Sequence, residues 1–134
     1  MTESLVSIVK IKNKLLEQTS FDFDKGKSAL ILHFDNFTLY NIHLPFQYDK
    51  TMMTNDKSII VGDYNCSGDN AIRVFTDTKK CENDKFTFIT RREGIVKTDT
   101  LDHILTKNLT ISDHLHVEET ILSDHYIIYV YLYQ

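Results

Sequence analysis

Apolar residues fall in short runs along most of the chain. Residues 28–34 and 37–44, rich in Leu, Ile, Phe and Tyr, flank the dipeptide Asp35-Asn36. Two β-prone runs across a two-residue turn predict a β-hairpin. Pro45 ends the second run, and a polar loop leads to Ser58-Ile59-Ile60-Val61-Gly62, an apolar run closed by glycine that predicts a buried strand. Farther on, residues 85–90 alternate through Phe86 and Phe88 and predict a half-buried strand, followed by a turn at Arg91-Arg92-Glu93-Gly94. Strands are also predicted over residues 100–105, 109–117 and 126–133. The last of these is almost entirely β-branched and aromatic. The period differs at the start. Over residues 4–18, Leu5, Ile8, Val9, Leu15 and Leu16 recur at three- and four-residue steps, with Thr2 or Ser4 as N-cap. That spacing predicts an amphipathic helix, with a loop over residues 19–27. Residues 68–84 are polar and mixed, with a short helix expected over 71–75.

No Gly/Ser linker, repeat or low-complexity tract divides the 134 residues, so one domain, 1–134, is expected, of the α+β class and mostly β. A composition of 42% hydrophobic and 25% charged residues is ordinary for a soluble globular protein, and no apolar run approaches the roughly 20 residues of a membrane span. The opening Met1-Thr2-Glu3 lacks the basic start of a signal peptide, which predicts an intracellular protein, cytoplasmic or nuclear. Cys66 and Cys81 match neither a zinc knuckle nor a disulfide framework and are expected to be free thiols. The sequons at Asn36, Asn65 and Asn108 would matter only after secretion. A net charge of −4 argues against a protein that coats nucleic acid non-specifically, but a nuclease with an acidic metal site remains compatible with it.

Polar groups collect at predicted strand ends. His43 closes the second hairpin strand. Asp63 and Asn65 follow Gly62 and, if the chain stays extended, project to one side, where an acid can hold a cation and an amide can steer an oxyanion. Asp102 lies in Leu101-Asp102-His103-Ile104-Leu105, and Asp124-His125 precede the last run. Each alone also reads as an ordinary turn or boundary residue.

In order, His43-Leu44, Gly62-Asp63-Tyr64-Asn65, Leu101-Asp102-His103-Ile104-Leu105 and Ser123-Asp124-His125-Tyr126 resemble the motifs of the endonuclease/exonuclease/phosphatase superfamily, which includes deoxyribonuclease I and exonuclease III. Thr87-Phe88 is similar to the Thr-Phe that often precedes the third motif. The resemblance covers residues 25–134, the second half of that fold. It implies a compact half of a four-layer α/β-sandwich, deoxyribonuclease I-like, with residues 1–24 as an N-terminal helix and loop. It further implies a metal-dependent phosphodiesterase, a nuclease, that uses an activated water. Asp63 would bind and activate that water, Asn65 would contact the scissile phosphate, and Asp124 would join Asp63 as a metal ligand. His125 would hold the phosphate or act as base with Asp102 orienting it, while His43 would be the acid or oxyanion partner. Oxygen ligands of this kind favour Mg²⁺ or Mn²⁺ over zinc.

A second Ser-Asp-His at Ser112-Asp113-His114 is not followed by a long strand, so the copy at 123–125 is preferred. Asp113, His114 and His116 read as an exposed polar edge. His33 and His103 carry no role in the pattern. The family's Asn and metal-binding Glu from its first half have no assigned counterpart; Glu3 and Glu17 are the nearest carboxylates. A half sandwich also leaves a sheet face to be covered by the helix, a protein partner or a second copy of the chain. The alternative function is therefore a non-catalytic binding module, viral or accessory, that keeps the half fold.

Overall fold

A computed structural model describes residues 12–133. The chain runs as β1 (Leu15–Asp22), β2 (Ser28–Phe34), β3 (Thr38–His43), β4 (Ser58–Asp63), α1 (Gly68–Val74), β5 (Lys79–Lys80), β6 (Phe88–Arg92), β7 (Ile95–Asp99), β8 (Asp102–Lys107), β9 (Thr110–Ile111), β10 (His116–Glu118), β11 (Ile127–Tyr129) and β12 (Leu132–Tyr133). It is sheet-rich, with one short helix among the described residues. A six-stranded sheet has the order β1-β2-β3-β4-β8-β5, in which β3 and β4 are parallel and the other neighbours antiparallel. No helix among the described residues is long and apolar enough to cross a membrane.

Side-chain alternation along these strands divides the core in two. One face of the sheet presents Ala29, Ile31, Tyr40, Ile42, Ile60 and Leu105, and packs against α1 through Ala71 and Val74 and against Tyr64 and Phe75. Tyr64 and Phe75 meet edge to face, with ring centroids 5.8 Å apart. The other face presents Leu32, Ile59 and Ile104. It is covered by the C-terminal strands through Val117, Ile128, Val130 and Leu132. Both faces of the central strands are thus covered, which is why Ile59-Ile60-Val61 reads as a continuous apolar run rather than an alternation.

The hairpin predicted around Asp35-Asn36 is β2–β3, and the run ending at Gly62 is β4. The short helix expected over 71–75 forms three residues earlier, as α1. The expected helix over 4–18 is corrected where the structure describes it. Residues 4–11 lie outside the described residues, and Leu15 to Gln18 belong to β1, which pairs with β2 from Leu15↔Phe34 to Asp22↔Ser28. Thr19, Ser20 and Phe21 continue this strand through the expected loop. Here the open hydrogen-bonding edge of β2 outweighs the helical spacing of the leucines.

The strand expected from residue 85 starts at Phe88, because Asn83 ties residues 83–85 into a turn. The predicted turn narrows to Glu93-Gly94, both at positive φ (52° and 75°), and β7, unforeseen, returns along β6. Two positive-φ residues are what a tight hairpin turn requires. The strand expected over 109–117 is broken into β9 and β10 by residues 112–115, where Leu115 donates its N–H to the Glu82 carbonyl. Its partner, expected as one strand over 126–133, is therefore divided into β11 on β10 and β12 on β9.

Gly62 sits at φ +139°, and a Cβ there would stand 2.0 Å from the carbonyl oxygen of Ile42 on β3. His103, on the helix-facing side of β8, is buried and donates from Nε2 to the Cys66 carbonyl at 2.8 Å. Burial pushes its pKa below the ordinary value, since protonation would leave a cation in the core.

Two outcomes are expected. Gly62→Ala combines a backbone clash with a conformation that L-residues avoid, and should lower unfolding free energy by about 3 kcal/mol or more, read by urea denaturation. For His103 the unfolded chain takes up a proton that the folded chain resists. Its contribution to stability is therefore present above about pH 6.5 and declines as pH falls through that value. His103→Gln should flatten the fall in stability between about pH 7.5 and pH 5.5.

Candidate active site

The register of three adjacent strands builds one row of side chains. His43 at the end of β3 pairs with Asp63 at the end of β4, and Asp63 pairs with Asp102 at the start of β8. Directly paired residues point to the same side of a sheet. The row lies on the face covered by the C-terminal strands and at its rim, so its members are only partly shielded: Asp63 is 16% and His43 25% exposed at the side chain.

His125 enters from the other layer. It forms an antiparallel bridge with Phe88, supported by Ile89 N–H to the Asp124 carbonyl at 2.9 Å and Tyr126 N–H to the Thr87 carbonyl at 2.7 Å. Its ring lies against that of Phe88, with centroids 4.9 Å apart. Nδ1 donates to Asp102 Oδ2 at 2.8 Å, and Nε2 faces Asp63 Oδ2 at 3.5 Å. Asp63 Oδ2 is also 3.3 Å from His43 Nε2. The result is a continuous line, Asp102–His125–Asp63–His43.

Asp102 is fixed by Thr87, which is fully buried. The Thr87 hydroxyl donates to Asp102 Oδ2 at 2.7 Å and accepts the backbone N–H groups of Leu101 and Asp102, each at 3.1 Å. With Nδ1 of His125 directed at the carboxylate, the imidazole is oriented and its pKa is raised, chiefly by that hydrogen bond. Asp63 is also raised, first by burial and further by the neighbouring Asp102 charge. The Asn65 N–H, donating to its Oδ1 at 2.8 Å, acts in the opposite direction.

Of the residues expected from sequence, His43, Asp63, Asp102 and His125 come together. Asn65 does not project with Asp63. Its φ is +51°, and its side-chain amide donates to the Leu44 carbonyl at 2.6 Å, so it braces the turn beneath the row. Asp124 is exposed and is no part of the cluster; the carboxylate that joins Asp63 is Asp102. The carboxylate oxygens of Asp63 and Asp102 and a ring nitrogen of His125 all lie within 4.8 Å of one another.

This donor set suits a cation, because two adjoining carboxylates, one of them shielded enough to resist ionisation, gain from a positive charge between them. Among the described residues no glutamate joins the group. Glu17 lies on β1, two strands beyond β3, and Glu3 is outside the described residues. The Cys66 thiol is pushed up to about 11 by burial and by Asp63, so it is a poor nucleophile near neutrality.

Asp113, His114 and His116 are exposed, as expected, and form no cluster with one another; His116 instead stacks on Tyr129. Both cysteines are free thiols. Sequence reasoning noted Thr87-Phe88 as similar to the pair that precedes the third motif but assigned neither residue a role. The available signal was a lone hydroxyl residue between two phenylalanines: alternation buries one side of such a strand, and a buried hydroxyl needs a partner. No protein-family model matches the chain, and a comparison with the curated proteins finds no match for it.

Proposed function

We propose that this protein is a metal-dependent phosphodiesterase, a nuclease, that hydrolyses its substrate with an activated water. The observation that carries the reading is the unbroken line Asp102–His125–Asp63–His43 at one rim of the sheet. Hydrolysis of a phosphodiester needs a proton taken from water, a proton given to the leaving oxygen, and compensation of the charge that builds at phosphorus. A carboxylate between two imidazoles can divide these three tasks with them.

In this reading Asp63 positions the attacking water and receives its proton. His125, held by Asp102 and Thr87, supplies positive charge to the non-bridging phosphate oxygens. His43 protonates the leaving oxygen as the phosphorus–oxygen bond breaks. The Asp63 and Asp102 carboxylates would hold a divalent cation beside the His125 ring, and such oxygen ligands favour Mg²⁺ or Mn²⁺. Such an ion would contribute Lewis acidity and charge neutralisation at the phosphate. Asp124 contributes charge near His125 rather than a ligand in the group. Asn65 acts through the turn it braces.

We also read the six-stranded sheet and its flanking layers as the second half of a deoxyribonuclease I-like sandwich. The parallel pair β3–β4, with the histidine and the aspartate at the matching strand ends, supports that assignment.

Mg²⁺ or Mn²⁺ is expected to support cleavage of a phosphodiester, and EDTA to stop it. Asp63→Ala should abolish the activity, and His125→Ala should lower kcat about 10²- to 10⁴-fold. Thr87→Val, which releases Asp102 without touching substrate, should lower kcat while leaving KM near its original value. Absence of cleavage with either metal on DNA, RNA and small phosphodiesters, together with no metal-induced rise in melting temperature, would overturn the proposal in favour of the binding module.

A further inference from the structure

The hairpin β6–β7 leaves the body of the protein beside the candidate site. All five residues of β7 are exposed, as are Arg91 and Arg92 at the end of β6. The hairpin therefore stands out as an arm, with its base at Phe88. Its register separates two faces. Phe88 pairs with Asp99 on one side and with His125 on the other, Thr90 pairs with Lys97, and Arg92 pairs with Ile95. Residues two apart on a strand share a face, so His125, Phe88, Thr90, Lys97 and Arg92 lie along one surface. The opposite face, with Ile89 and Arg91, borders a separate cleft lined by Ile121 and Leu122.

We propose that this arm is a phosphate-gripping surface, with Lys97 and Arg92 holding the backbone of a nucleic acid strand that runs outward from the candidate site. The proposal rests on the phosphodiesterase reading and narrows its substrate to a polymer. Strand geometry puts Thr90 with Lys97 roughly 7 Å, and Arg92 roughly 13 Å, farther along the arm than Phe88. Those distances are too long for the phosphate held at His125 itself. They suit further phosphates of the same strand, which a small phosphodiester does not possess. Neither Lys97 nor Arg92 takes part in an ion pair among the described residues.

Acidic groups on the arm are Asp99, level with Phe88, and Glu93 at the turn; the cations occupy the stretch between them. In a chain of net charge −4, the outer part of this face, with Arg92 and Lys97, is locally positive. Ile95 and Val96 at the tip are 59% and 57% exposed. The two cations stand between this apolar tip and the candidate site, where a strand leaving the site would pass, and a lipid surface is an outcome of the test.

The test compares the wild-type chain with the double variant Arg92→Ala/Lys97→Ala. Three readouts are needed: binding of a fluorescent single-stranded oligonucleotide by anisotropy over a salt series, hydrolysis of bis(p-nitrophenyl) phosphate with Mn²⁺, and sedimentation with phosphatidylserine vesicles. Two lost phosphate contacts should reduce the slope of log K against log salt by about 1.4, and weaken binding about 25-fold at 0.1 M salt. Hydrolysis of the small ester should be unchanged. Equal oligonucleotide binding by both proteins, no binding by the wild type, or arm-dependent binding to vesicles alone would each overturn the proposal. Arm-dependent oligonucleotide binding without hydrolysis of any ester would uphold the arm and remove the phosphodiesterase reading.

Discussion

Asp63 stands between His43 and Asp102 because one register ties three strands together. The parallel pairing of β3 with β4 aligns their C-terminal ends, and the antiparallel pairing of β4 with β8 brings the beginning of β8 to the same level. A shift of one residue in either pairing would turn one member of the row to the helix-covered face. The register is held by burial on both sides of the central strands: Ile60 and Leu105 face α1, while Ile59 and Ile104 face the C-terminal layer. Gly62 belongs to the same constraint. Only a residue without Cβ lets β4 approach the Ile42 carbonyl at the point where the row begins.

That packing concentrates negative charge. Two carboxylates with oxygens within 4.8 Å repel by about 3 kcal/mol at an effective dielectric near 20, so the row is stable only with compensation. The structure supplies it locally, through the Thr87 hydroxyl on Asp102, the Asn65 N–H on Asp63 and the His125 ring between the two. Burial is the main reason that the Asp63 pKa is raised and the Asp102 hydrogen bond the main reason for His125, and the Asp102 charge adds to both. A site that strains to hold negative charge is a good place to receive a cation between its carboxylates.

Much of this site was legible in sequence, because strand-end residues depend on local features. The Asp35-Asn36 turn, Pro45 and Gly62 fix where β3 and β4 end, and hence where His43 and Asp63 fall. Long-range partners were not legible. Asp102 joins Asp63 rather than Asp124 because of a pairing between strands some forty residues apart, and β1 is a strand because β2 offers it an edge. Asn65 failed the expectation of shared projection for a local reason: a positive φ at one residue ends the alternation on which that expectation rested. The break between β11 and β12 is likewise set by the neighbouring chain at 112–115, since nothing in Tyr126 to Tyr133 itself interrupts a strand.

β6 connects the site with the arm, and strand geometry explains how one segment serves both. At Thr87 the chain turns its side chain inward to Asp102; at Phe88 it presents a ring to His125; at Ile89 it returns to the core, 8% exposed. From Thr90 onward burial declines, and the same alternation that placed Phe88 beside the histidine places Arg92 on that surface farther out. The buried end of β6 cannot slide without displacing Thr87, because Ile89 N–H and the Thr87 carbonyl are both committed to the 124–126 segment. The direction of the arm is therefore fixed by the same hydrogen bonds that fix His125. A ligand strand held along its outer half would be registered against the row from His43 to Asp102 rather than merely retained near it.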